Sequence, residues 1–356
     1  MSMILAINPG NTSTKIALFR GTKLLKMEVL RHSKNDLERF EHFIEQLKYR
    51  SDSVNEFLDK NNINPKSIDY FIGRGGYLKP LISGLYEVDE KMIKDLKTAR
   101  YGEHASNLGA MIAYDFSSRM GKKAFILDPV CVDELEPVAR ISGHPAIERK
   151  SIFHALNQKK VAREAARELG LKYEDINLIV AHLGSGISVG LHKRGRIVDV
   201  NNAIDGEGPF SPERSGGLPT GAFLKYVFEN GLDWPDSLRM LYGGGGMYAY
   251  LGTNDFKKVM EKYENGNDKK VKIVIEAMAY QISKYIASLA APVSGNIDVI
   301  ILTGGLAYSK TFIQLIVQCV EFMTKKILVY PGEDELQAMA EGVIQGLKGE
   351  IEILKY

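Results

Sequence analysis

INLIVAHLGSGISVGLHKRGRIVDV, residues 176–200, is the stretch on which the fold turns. An apolar run over 176–181 ends in the small polar turn His182-Leu183-Gly184-Ser185-Gly186. A second run over 187–191 follows, and Gly195 turns the chain into a third over 197–200. The same grammar opens the chain. Residues 3–7 run into Asn8-Pro9-Gly10-Asn11-Thr12-Ser13-Thr14, residues 15–19 follow, and Gly21 leads into 24–30. Gly10 and Gly184 lie 174 residues apart, as do Gly21 and Gly195, and Ile4, Leu5 and Ala6 fall on Leu178, Ile179 and Val180 at the same offset. Short apolar runs bounded by glycine turns read as a three-strand meander. Two such meanders in one chain read as a duplicated α/β domain.

The remaining pattern alternates. Helices are expected over 35–48, 54–61, 104–120, 151–169, 271–291, 308–324 and 334–348, with buried strands over 68–72, 124–127, 297–302 and 327–330. Alternating strands and helices imply mixed α/β layers. Gly243-Gly244-Gly245-Gly246 reads as a flexible turn, and the Pro/Ser/Gly-rich stretch 206–221 is longer than a simple connector needs.

Length and composition bound the answer. A chain of 356 residues suits two domains. A formal net charge of +2 argues against a dedicated nucleic-acid surface. No apolar run reaches the roughly 20 residues that span a bilayer, and MSMILAINPG does not read as a signal peptide. Cys131 and Cys319, the only cysteines, are expected as small buried hydrophobes in a reduced, cytoplasmic protein.

Three turns end apolar strands: Asn8 to Thr14, Leu183 to Gly186, and Thr303 to Leu306. Small residues there let backbone N–H groups approach an anion, so the turns suit a nucleotide cleft between two domains. The first adds the hydroxyls of Thr12, Ser13 and Thr14 and the cation of Lys15. There is neither a G-x-x-x-x-G-K-[ST] loop nor a G-x-G-x-x-G opening a helix, which argues against a P-loop and a Rossmann site. Arg74, in Gly73-Arg74-Gly75-Gly76, and Arg214, before Ser215-Gly216-Gly217, are either exposed loop arginines or guanidinium forks for carboxylate and phosphate oxygens. Asp128, at a strand end before Pro129, is either a turn residue or a catalytic or metal-binding carboxylate. His104, His154 and His182 sit near the turns, where an imidazolium would offset developing phosphoryl charge. Glu333 and Glu335 open a helix, which suits either the helix dipole or Mg²⁺ held through water. No His/Cys cluster points to a transition metal.

In this inventory the chain resembles the acetate and butyrate kinase (acetokinase) family. Asn8 to Lys15 resembles the family's N-x-G-[ST]-S-S-x-K signature and His182 to Gly186 its H-L-G-x-G. Phe153-His154, Arg214-Ser215-Gly216, Asp255-Phe256 and Thr303-Gly304-Gly305 follow in family order. The wordings NPGNTSTK and PGEDEL are most similar to the butyrate branch. The resemblance implies a duplicated ribonuclease-H-like fold, shared with actin, Hsp70 and the sugar kinases. The expected domains are 1–151 with 332–356, and 152–331. It implies ATP-dependent, in-line phosphoryl transfer to a short-chain fatty acid, with Mg²⁺ and at least a homo-dimer.

Carried over by residue, Arg74 and Arg214 would hold the carboxylate and the phosphoryl group in flight, and His154 and His182 would stabilise its charge. Asn8, Asp128 and Glu335, with Glu333 as the alternative, would position Mg²⁺ and the acyl oxygen. Gly75, Gly76, His104 and Phe153 would line the acid. The nucleotide would lie on Thr12, Lys15, Gly184, Ser185, Gly186, Asp255, Gly304 and Gly305. Where the family has β-branched residues after the arginine, Gly75 and Gly76 stand here, which is expected to enlarge the acyl pocket.

Overall fold

The computed structural model describes residues 1–356, apart from the side chain of Lys34. The chain forms two compact units, Met1–Val132 with Asp334–Tyr356, and Asp133–Glu333. Among the described residues twelve strands follow one another: β1 Met3–Pro9, β2 Ser13–Arg20, β3 Lys23–Arg31, β4 Tyr70–Gly73, β5 Leu85–Glu87, β6 Lys123–Leu127, β7 Asn177–Leu183, β8 Ile187–Lys193, β9 Arg196–Val200, β10 Val299–Gly304, β11 Ile327–Pro331 and β12 Ile353–Leu354.

In the first unit the sheet order is β12-β5-β6-β4-β1-β2-β3, and in the second β11-β10-β7-β8-β9. β1 runs antiparallel to β2 and parallel to β4, which is parallel to β6. β7 repeats this with β8, β10 and β11. The same five-strand order and the same directions therefore occur twice, and the fold is a duplicated ribonuclease-H-like α/β fold. β1 and β7 begin and end 174 residues apart. The ladder also slips one residue late in each second strand, at Leu18/Phe19 and at Leu191/His192. Gly21 (φ 60°) and Gly195 (φ 84°) close the matching turns in the left-handed region that a side chain disfavours.

β7 shows why these strands read as unbroken apolar runs. Ile179, Ala181 and Leu183 face one core, with Met278, Ile282 and Phe312. Leu178 and Val180 face another, with Val161, Ala162 and Ala165 of the helix Ala155–Glu168. A sheet covered on both faces has no solvent side, so alternation disappears. Each of these Leu, Ile, Val, Met and Phe side chains, fully buried, contributes about 1.5–3 kcal/mol, and each alanine less.

The sequence-based elements need four corrections. The two helices expected over 35–48 and 54–61 are one helix, Leu47–Lys60, preceded by short turns at Lys34–Leu37 and Phe43–Gln46. The polar stretch that reads as a break is helix interior, because Arg50 is wholly buried on the same stripe as Val54, Phe57 and Leu58. β5, β12 and the helices Glu90–Lys97, Trp234–Leu241, Gly246–Leu251 and Phe256–Glu264 were not anticipated. Gly243 to Gly246 is not a loose turn. A Cβ on Gly245 would stand 2.4 Å from the Met240 carbonyl oxygen, and one on Gly246 2.0 Å from that of Ser211. Cys131 is buried as expected, but Cys319 is exposed. Among the described residues no helix is long and apolar enough to cross a membrane.

Candidate active site

In the first unit Glu335 and Asn8 gather beside Arg74, just past β4. The helix Asn107–Arg119 presses its backbone against this strand end. A Cβ on Gly73 would meet the Gly109 carbonyl oxygen at 2.0 Å, and one on Gly109 the Arg74 oxygen at 2.6 Å, so glycine is required at both. The Arg74 N–H donates to the Ile7 carbonyl (2.9 Å), which ties it to β1. Its guanidinium, 13% exposed, makes an ion pair through Nη1 with the Glu335 carboxylate. Among the described residues its Nε is buried with no hydrogen-bond partner. Asn8, at the end of β1, donates from Nδ2 to Glu335 Oε2 (2.6 Å). Glu335 lies in the first turn of the helix Glu335–Leu347, where the dipole favours a carboxylate. Lys15 pairs with Asn8 across β1 and β2, so the two side chains share a face.

Arg50, which nothing in the sequence singles out, fixes the first turn from beneath. It donates to the carbonyls of Asn11 and Ser13 and to Thr14 Oγ1, each at 3.1 Å. Thr12 sits at the exposed rim of that turn. Asp128 is buried with φ 39°, and its Oδ1 accepts from Ser83 Oγ (2.6 Å) and the Gly84 N–H (2.8 Å). His104 accepts on Nδ1 from the Ser106 N–H (3.1 Å) and lies edge-on to Tyr77. The expected void beside Gly75 and Gly76 is filled. A Cβ on Gly75 would stand 2.6 Å from Pro129 Cβ, and one on Gly76 2.2 Å from Asn107 Oδ1. These glycines bring the backbone against its neighbours, so they do not widen a pocket at those positions.

In the second unit His182 is the last residue but one of β7. Its Nδ1 is 2.7 Å from Asn157 Oδ1, and its Nε2 is 3.0 Å from Glu333 Oε1, at ion-pair distance but without hydrogen-bond alignment. His154 stacks on it, with centroids 3.8 Å apart, and sets its Nδ1 2.8 Å from Ser188 Oγ. Gly184 and Gly186 are buried in the turn, with Ser185 exposed at its tip. A Cβ on Gly186 would overlap the Arg214 guanidinium, at 2.1 Å from Nη1, so the arginine lies directly over the turn. Arg214 Nη1 also donates to the Ala203 carbonyl (2.5 Å). β10 runs beside β7 with Thr303 opposite His182, and Gly304 (φ 92°) packs on the backbone of Leu183. Gly305, on the same edge, is exposed with open space beside it. The turns at Gly184 and Gly304 therefore share the carboxyl ends of two parallel strands, where ligands of open α/β sheets bind.

The other sequence-based choices are divided between the two units. Asp255 caps the helix Phe256–Glu264 by accepting from the Lys258 N–H (3.1 Å), a bond that holds its carboxyl below the usual range. Phe153 is 3% exposed. Thr12 and Lys15 belong to the first unit, whereas Gly184 to Gly186, Asp255, Gly304 and Gly305 belong to the second. Glu333 falls in the second unit and Glu335 in the first. Asn157, Gln158 and Ser188 were missed, since a polar residue on a charged helix or inside a strand carries no sequence mark.

Residues 144–338 match the profile of the Acetokinase family, and the chain is 50% identical to butyrate kinase 2 of Clostridium acetobutylicum over 353 residues, 99% of each chain. The chain belongs to the acetokinase family. Butyrate kinase 1 of the same organism is 47% identical over 356 residues, 100% of each. The crystal structure of Porphyromonas gingivalis acetate kinase, 19% identical, superposes with a TM-score of 0.78 over 98% of this chain and 100% of that one. That likeness shows the acetokinase fold.

Proposed function

We propose that the chain transfers a phosphoryl group reversibly between ATP and the carboxylate of a short-chain fatty acid, butyrate foremost. The observation that carries this is Arg74, a nearly buried guanidinium paired on one edge with Glu335 and left with an orphaned Nε. A buried donor without an acceptor costs about 1–3 kcal/mol, and a carboxylate or phosphoryl oxygen relieves it. Support for butyrate comes from the two Clostridium relatives, which bear that activity in their names.

The acid is ionised at neutral pH, so attack needs no general base. One carboxylate oxygen attacks the γ-phosphorus; a C–O–P linkage forms, the bond to the β,γ-bridging oxygen breaks, and ADP departs with the electron pair. Such a reaction asks for positioning and charge stabilisation. Arg74 orients the acid. Arg214, His182 and His154 offer donors to the phosphoryl oxygens, and the turns at Gly184 and Gly304 offer backbone N–H groups to the nucleotide phosphates.

A divalent metal fits the first unit. Among the described residues no group of three or more His, Cys, Asp or Glu could hold an ion. Glu335 and the Asn8 amide oxygen would nonetheless supply the one or two protein oxygens that Mg²⁺ takes when phosphates and water complete its shell. Bound there, Mg²⁺ would draw charge from the β- and γ-phosphate oxygens.

The reading extends to a cytoplasmic homo-oligomer. The helix Thr220–Glu229 buries none of its residues, and Phe228 and Trp234 are 82% and 74% exposed, a face suited to a second copy. Acyl hydroxamate formation with ATP and Mg²⁺ across acetate, propionate, butyrate and isobutyrate tests the chemistry. Butyrate should give the highest kcat/KM, and Arg74→Ala should lose it by roughly 10²–10³. Silence with all four acids would end the proposal.

A further inference from the structure

We infer that Ser188, backed by Gln158, His192 and Tyr173, holds His154 as a neutral imidazole with its proton on Nε2. The inference rests on the reading of His154 as a donor to the phosphoryl group. It changes the expected actor from an imidazolium to a fixed N–H dipole.

The chain of bonds is directional, and its sense starts at a carbonyl. Gln158 Nε2 lies 3.0 Å from the Ser188 carbonyl oxygen, which only accepts, so the amide nitrogen faces Ser188 and Oε1 faces His192. That Oε1 only accepts, so His192 Nε2, 3.1 Å away, carries a proton. Burial, with the charges of Lys159 and Arg163, pushes the His192 pKa well below its ordinary value, so the ring is neutral and its Nδ1 accepts from the Tyr173 hydroxyl (2.7 Å).

In the other direction, Gln158 Nε2 also donates to Ser188 Oγ (2.9 Å), and so does the His154 backbone N–H (3.4 Å). Both lone pairs of the hydroxyl are then engaged. Its single proton goes to the remaining neighbour, His154 Nδ1, at 2.8 Å. Nδ1 is therefore an acceptor, and the ring proton sits on Nε2. An imidazolium would turn a second N–H against a hydroxyl with no lone pair to offer. The helix dipole also opposes a cation there, because His154 precedes the helix Ala155–Glu168, whose N-terminus carries positive dipole charge.

The relay has a built seat. Gly190 in β8 has no side chain where a Cβ would come within 2.6 Å of Gln158 Oε1. Ser188, Gln158 and His192 are all fully buried. Ser188 and Gln158 are thus positioning residues that act through His154.

The decisive measurement is the ¹⁵N spectrum of histidine-labelled full-length protein at neutral pH. The chain has seven histidines, and loss of a signal in His154→Gln identifies the ring. The expected result is an unprotonated Nδ1 and a protonated Nε2 for His154, mixing with the other tautomer in Ser188→Ala. In kinetics, Ser188→Ala should lower kcat roughly tenfold to hundredfold with both KM values within about threefold. It should change nothing further on a His154→Ala background. A protonated Nδ1 in the native protein overturns the inference, as does an undiminished Ser188→Ala effect on the His154→Ala background. The spectrum needs no turnover and no variant of Ser188. A chain that phosphorylates no acid would therefore end the functional reading while the tautomer is still decided.

Discussion

The imidazoles of His154 and His182 stack face to face, 3.8 Å between centroids and 11° from parallel. Each ring is the other's wall, so removing one releases the other. His154→Ala and His182→Ala should each lower kcat by roughly 10², and the double variant should be little worse than either alone. Steady-state kinetics of the three proteins measure this. Multiplying losses would show that the rings act independently.

Gly186 makes room for Arg214. A methyl group there would meet the guanidinium at 2.1 Å from Nη1, and the flexible side chain, not the turn, would give way. Gly186→Ala should therefore reproduce Arg214→Ala, a loss of about 10²–10³ in kcat/KM, with an unchanged denaturation midpoint. If Gly186→Ala and Arg214→Ala compound each other, the explanation is wrong.

Arg50 and His32 meet at Thr14. Arg50 Nη1 donates to Thr14 Oγ1 (3.1 Å), and His32 Nε2 lies 2.8 Å from the same oxygen. Burial, with the charge of Arg50 behind it, lowers the His32 pKa from 6.5 to about 4. As pH falls below 6.5 the unfolded chain takes up this proton and the folded chain resists until about 4. The stability owed to the neutral ring is thus complete above that window and is lost across it. The stability gap between the native protein and His32→Gln should shrink from pH 7 to pH 4.5 in urea unfolding. A constant gap would refute it.

Lys159 and Glu134 form a buried ion pair, Nζ to Oε2 at 2.8 Å, with side chains 1% and 6% exposed. Glu134 also accepts from the Ile197 N–H (2.7 Å), and Lys159 donates to the Gly195 carbonyl (2.9 Å). Removing one partner strands the other charge, so Glu134→Ala should destabilise the chain by about 3–5 kcal/mol, and Lys159→Met with Glu134→Leu by much less. Equal losses in the single and double variants would show that the charge itself is not what matters.

The fold was legible where local chemistry repeats itself. Gly10 and Gly184, Gly21 and Gly195 mark the same two turns in both sheets, and the apolar runs before them are the central strands. It was illegible where a residue defies its type. Arg50 sits in a helix core, so the stretch around it reads as a gap. Among the candidate site residues, Arg74, His154 and His182 stood out through their glycine or turn neighbours. Ser188, Gln158 and His192 did not, because their roles depend on contacts made across 30 or more residues of chain. Gly75 and Gly76 were misread because a missing side chain implies space only if nothing moves in, and Pro129 and Asn107 do.

The close approaches at Gly73, Gly109, Gly186, Gly190, Gly246 and Gly304 have a consequence for inheritance. A glycine codon reaches alanine, valine, serine or aspartate by one base change, so each position is a short step from steric overlap. In a saturation library selected for growth on the enzyme's product, these six sites would be as intolerant as the arginines, though none donates a bond from a side chain. Scored by intolerance alone, the proposed site would look larger than its chemistry requires.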